Sequence, residues 1–130
     1  MFTLTTAIKN EILDGLAPSY NNGYIKVYSG SVPANANSSI TMDAILLGTL
    51  TFDSTAFLPA NSGILTANPI GGESSAVAGG TATFYRAYAS NGTTVISQGL
   101  VGTSTSEFIL NSVEIVLNGI IECTSLVIAI

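Results

Sequence analysis

The sequence predicts an all-β protein, an antiparallel β-sandwich of jelly-roll type with one short N-terminal helix. Three observations lead there. Val, Ile, Thr, Phe and Tyr gather in short runs separated by Gly, Asn, Pro and Ser, which is how strands and turns are composed. The stretch Gly79–Gly102 sets two such runs around Ser90-Asn91-Gly92, the strongest short-range hairpin signal. Helical periodicity occurs only near the start. About eight strands at uneven spacing then suit a sandwich, with a closed barrel as the alternative.

Two regions follow: residues 1–20 as helix and lead-in, and 21–130 as a single β-sandwich domain. In Thr5–Leu16, Thr5 or Thr6 can cap the first turn. Ile8, Ile12 and Leu16 recur at i, i+4 and i+8 as one apolar stripe, with Leu13 beside it. Pro18 ends the helix. A helix of about 12 residues is marginal alone in water. It must dock, either on an end of its own sandwich or on a neighbouring subunit.

After the turn Asn21-Asn22-Gly23, Tyr24–Tyr28 reads as a strand that buries Ile25 and Val27 and keeps Tyr24, Lys26 and Tyr28 on its other face. Ser29–Asp43 has no period and is a loop, long enough to be functional or held by a partner. Ala44–Asp53 returns to strand, contributing Leu50 and Phe52 to the core, and Phe57 and Leu58 plug a core edge. Gly63–Asn68 is a short strand, and Pro69–Gly80 is a second loop of small residues. In the hairpin, Ala82, Phe84, Arg86 and Tyr88 share a face opposite Tyr85 and Ala87. Neither face is cleanly polar, so cover is expected on both, with Phe84 in the core. Glu107–Leu110, Val113–Leu117 and Ile120–Ile130 complete the set, the last burying Leu126 and Ile128.

Charge narrows the function. Only 8% of residues are charged, against roughly 25% in an ordinary soluble domain. Such a chain covers itself with hydroxyl and amide groups or hides surface against partners, and obligate interfaces are depleted in charge. Three bases (Lys9, Lys26, Arg86) against eight acids leave a net charge of −5 and no basic stripe for a phosphate backbone. Nucleic acid is therefore not an expected partner. No apolar run approaches the roughly 20 residues of a membrane span. Met1–Ala7 lacks a basic region followed by an apolar run, so no secretory signal is expected and folding is expected in a cytoplasm.

Catalysis is not expected either. Histidine is absent, removing the commonest general base and metal ligand, and the single Cys123 cannot build a thiolate cluster. Asp43 and Asp53 bracket one strand, too far apart for a catalytic pair, and no calcium or phosphate loop is present. No cofactor or metal is expected. Cys123 alternates within a strand and reads as a small buried hydrophobe. Arg86 stands out as the sole arginine, mid-strand between Phe84 and Tyr88. A guanidinium among aromatics is commonly stacked and paired with a carboxylate. Glu107 is the expected partner, within the subunit or across an interface.

The strings Ile25-Lys26-Val27-Tyr28-Ser29-Gly30, Val32-Pro33-Ala34-Asn35-Ala36, Leu46-Leu47-Gly48-Thr49-Leu50 and Gly63-Ile64-Leu65-Thr66-Ala67 form a further pattern with Gly80-Thr81-Ala82-Thr83-Phe84-Tyr85-Arg86, Asn91-Gly92-Thr93-Thr94-Val95 and Val101-Gly102-Thr103-Ser104. From Ile25 onward this resembles a family of small bacteriophage virion structural proteins. The resemblance implies an Asp in relatives where Glu107 stands, which keeps the carboxylate. The resemblance implies a structural component of a virion, made in the host cytoplasm, with other virion proteins as partners. The leading expectation is a capsid decoration (cement) protein that clamps adjacent major capsid subunits, as a homo-oligomer and preferably a trimer. A neck, tail or fibre-base component is the first alternative. A carbohydrate- or surface-binding module is the second; Trp is absent, and Tyr20, Tyr24, Tyr28, Tyr85 and Tyr88 read as structural.

Overall fold

The computed structural model describes residues 1–104 and 106–130. Thr5 caps the helix, its hydroxyl accepting a hydrogen bond from the Ile8 N–H at 3.3 Å, and α1 runs Thr6–Leu16. Pro18 cannot continue an α-helical ladder, and the chain tightens into one 3-10 turn, Ala17–Tyr20. That turn drives Tyr20 into the interior, edge-on to Phe52 and Phe57 with centroids 5.3 and 5.1 Å away.

Among the described residues eight strands follow: β1 Tyr24–Ser29, β2 Ile45–Thr51, β3 Ile64–Thr66, β4 Gly80–Tyr88, β5 Val95–Gly102, β6 Phe108–Leu110, β7 Glu114–Ile115 and β8 Cys123–Ala129. They make one open sheet in the order β2-β1-β4-β5-β6-β8-β3, with β7 paired to the start of β4. Every ladder is antiparallel except β5–β6, where Val101 sits beside Phe108 and Gly102 beside Ile109 in parallel. The protein is thus mostly β, with one short N-terminal helix and a mixed sheet. The strands form one path rather than two separate ladders. Residues from its two ends, Ile25, Val27 and Leu50 on one side and Leu65, Phe108 and Leu126 on the other, meet in a single core.

Three segments differ from expectation. Val113–Leu117 shortens to β7 because Val116–Gly119 is a tight turn: Gly119 N–H donates to Val116 C=O at 2.8 Å while Asn118 adopts φ 67°. Asn tolerates that left-handed backbone better than most residues. The last strand starts at Cys123, since Ile121 is taken by Glu73, each amide donating to the other's carbonyl at 2.9 Å. Phe57 is buried but Leu58 is exposed.

Of the core residues expected from sequence, Ile25, Val27, Leu50, Phe52 and Leu126 lie in the main core, and Ile128 packs half-buried against it. Phe84 is fully buried, but on the other face of β4, stacked on Tyr28 with centroids 5.0 Å apart. Both borders of the sheet carry irregular chain. Along β2, Thr51 and Gly71 exchange hydrogen bonds at 3.0 and 2.9 Å, and Val77 N–H donates to Leu47 C=O at 2.8 Å. Along β3, Leu58 N–H donates to Thr66 C=O at 2.9 Å.

Candidate interaction surface

Alternation along β1 and β4 places Phe84, Arg86 and Tyr88 on the face away from the main core, opposite Tyr28, Lys26 and Tyr24 in register. The long loop between β1 and β2 covers this face. Arg86, 4% exposed, fastens it. Its Nε donates to Gln98 Oε1 at 2.9 Å, and its Nη2 donates to the backbone carbonyls of Asn35, at 3.2 Å, and Ser38. Gln98 adds a second tie, its Nε2 donating to Pro33 C=O at 2.9 Å. At the loop's base, Ser31 donates to Asp43 Oδ2 through its hydroxyl at 2.7 Å and its amide at 2.9 Å. The Ser31 hydroxyl above all, with help from Thr41 and the Ser31 amide, holds the Asp43 carboxyl well below the usual range, at about 2.

Of the two arrangements expected for Arg86 and Glu107, the pair within the chain is not among the described contacts. β4 turns Tyr85, not Arg86, toward Glu107, and the Tyr85 hydroxyl donates to Glu107 Oε1 at 3.2 Å. Burial first, then the Glu107 charge and this bond, push the Tyr85 phenol far above its ordinary value. Tyr20 reaches Ser97 at 2.8 Å, and burial raises it as well. On the loop-covered face Lys26 lies opposite Arg86 in register. Like charges so placed repel, and the Lys26 ammonium turns over the Tyr88 ring, 4.6 Å from its centroid. The Tyr28 and Tyr88 hydroxyls lie 3.4 Å apart, and burial foremost raises the Tyr28 phenol.

Two exposed apolar areas stand out. One surrounds the Val116–Gly119 turn. Ala76 N–H donates to Gly119 C=O and Asn118 N–H to Ala76 C=O, at 2.8 and 2.9 Å, which sets Val77 beside the turn. Val77, Val116, Leu117 and Ile120 are all exposed, Val116 at 71%. The other is the outer side of α1, with Ile8 at 42% and Ile12 at 49% exposed, preceded by exposed Met1 and Phe2. The stripe read from sequence therefore splits. Leu13, fully buried, and Leu16 dock the helix, while Ile8 and Ile12 face away.

An open groove of about 400 Å3 runs between Ile70–Ser74 and Ile120–Cys123. Glu73 and Glu122 flank it, and burial pushes its Cys123 thiol up to about 11, so the thiolate nucleophile is scarce near neutrality. Among the described residues no group of three or more His, Cys, Asp or Glu could hold a metal ion, and no helix is long and apolar enough to cross a membrane. Compared with known proteins, the chain matches no family model, no curated protein and no solved structure. Sequence reasoning missed the Val116 area because Val77 joins it from a distant segment and the four residues share no period. It also missed Gln98 and the loop carbonyls, because backbone acceptors carry no residue-type signal.

Proposed function

We propose that this protein is a structural component of a bacteriophage virion: a capsid decoration protein that clamps adjacent major capsid subunits as a homo-oligomer, preferably a trimer. The observation that carries the reading is the exposed apolar area on a hydrogen-bonded turn, Val77 with Val116, Leu117 and Ile120, on a chain with only 8% charged residues. Such an area is what a protein partner removes from water, and apolar burial supplies most of the affinity of a lasting contact. In this reading the sheet serves as a jelly-roll sandwich, a rigid block presenting loops and turns. Bound on a shell, each copy adds buried surface that unassembled subunits lack, and the shell gains stability by mass action.

The test is quantitative mass spectrometry of purified particles, paired with heat challenge of particles lacking the protein. A copy number comparable with that of the major capsid protein, and lost heat resistance on removal, are expected. A copy number matching one ring would move the protein to the neck, tail or fibre base. Absence from particles, with glycan binding by the isolated chain, would replace the virion reading by a surface-binding module.

A further inference from the structure

Two of the chain's three bases stand side by side. Lys26 on β1 and Arg86 on β4 are register partners on the face away from the main core. Like charges on one rung repel. Neither meets a carboxylate among the described contacts. Arg86 donates through Nε to Gln98 and through Nη2 to two loop carbonyls, and the Lys26 ammonium rests over the Tyr88 ring. The other terminal nitrogen, Arg86 Nη1, has no described hydrogen bond, in a residue only 4% exposed. No fully buried nitrogen or oxygen of a described side chain lacks a partner, so Nη1 reaches the molecular surface.

Further donors stand over the same rung. Tyr28 follows Lys26 by two residues on β1, and Tyr88 follows Arg86 by two on the antiparallel β4. The rungs of the two tyrosines lie about 13 Å apart along the strands. Their hydroxyls are nevertheless 3.4 Å from each other, so both rings lean over the Lys26–Arg86 rung. One hydroxyl can donate to the other, which uses one proton of the two. The second proton has no described acceptor, in residues 8% and 7% exposed. Thr49, the register partner of Lys26 on β2, adds a third hydroxyl to this face.

An ammonium, a guanidinium nitrogen and a phenol proton therefore gather with no negative charge supplied by the described chain. Shielded donors of this kind match an oxyanion, to which hydrogen bonds are charge-assisted. A carboxylate suits them best: it is planar, carries one charge, and offers two oxygens that can meet a guanidinium edge and an ammonium together. We propose that Lys26, Arg86 and the Tyr28–Tyr88 hydroxyl pair form a carboxylate-binding site, filled by a small free carboxylate or by the end of an Asp or Glu side chain of a neighbouring protein. The site is independent of the virion reading and uses none of the Val116 area.

Sodium acetate against sodium chloride at equal ionic strength, on the full chain, tests it. The melting temperature of the wild type is expected to rise with acetate concentration and to saturate, because a ligand held only by the folded state stabilises that state. Lys26→Met and Tyr28→Phe should lose this shift. Both are expected to fold, since Tyr28→Phe keeps the ring stacked on Phe84 and Lys26→Met removes the repulsion on the rung. Lys9→Met, a lysine outside the rung, should keep the shift. Identical melting in the two salts, or an acetate shift that survives both variants, would overturn the proposal. Carbodiimide coupling in purified particles separates the two sources. An amide joining Lys26 to an Asp or Glu of another protein supports the side-chain source, and an acetate shift of the free chain without that amide supports a free carboxylate. Absence from particles would remove the virion reading and leave the acetate result standing.

Discussion

Arg86 is a buried cation whose described hydrogen bonds all go to neutral oxygens. Carbonyl and amide dipoles replace part of its hydration, and together they fix loop, β4 and β5 to one another. Arg86→Ala leaves the Asn35 and Ser38 carbonyls without this donor, at a cost of about 2–3 kcal/mol. The measurable outcome is a lower urea midpoint together with new proteolytic cleavage within residues 31–43; an unchanged midpoint and an intact loop would refute the clamp. Arg86→Lys should rescue little, because an ammonium lacks the planar fork that reaches Gln98 and two carbonyls at once. The sequence picked out this side chain as shielded and offered Glu107 as its partner, whereas its described acceptors within the chain are Gln98 and two loop carbonyls. Flanking aromatics announce burial, but an acceptor on the backbone of a distant loop is invisible to residue type.

Gly23 and β4 show the same division among elements. Gly23 is buried where the chain enters β1, and a side chain there would strike the backbone carbonyl oxygens of Tyr88 and Tyr20, the latter 2.9 Å from its first atom. Neither carbonyl can swing aside like a side chain, since each belongs to an ordered segment. Gly23→Ala is expected to lower stability by about 1–3 kcal/mol, read as a drop in urea midpoint with unchanged slope; a neutral result would mean that the β1 entry yields freely. The turn Asn21-Asn22-Gly23 was legible, whereas the reason for its glycine was not. Likewise β4 was legible as covered on both faces, but its cover, the loop after β1, has no hydrophobic period to announce it. For α1, periodicity found the apolar residues. It could not say which of two rows the domain uses, because both satisfy the same spacing.

For the molecule as a whole, strand positions came through far better than strand order. Alternation is local, but the parallel β5–β6 pair and the Glu73–Ile121 bridge join segments that no local pattern links. The assembled core sets the pH range. Burial holds the Tyr20, Tyr28 and Tyr85 phenols neutral above their ordinary value of 10.0. An unfolded chain ionises them near that value, so their stabilising contribution is complete below about pH 10 and declines as pH rises toward the raised folded values. Alkaline titration should show strand circular dichroism and phenolate absorbance changing together, above the ordinary tyrosine range. Ionisation of every tyrosine near pH 10 with the fold intact would contradict it.

The occupied borders of the sheet carry a last consequence. A bare outer strand offers a free template to any similar strand, and copies made in excess can zipper into fibrils. Here β2 spends three of its outward groups on Gly71 and Val77, and β3 spends one on Leu58. Each of these bonds shortens the stretch of outer strand open to a similar strand from another copy, and so leaves fewer registers in which surplus chains could join edge to edge.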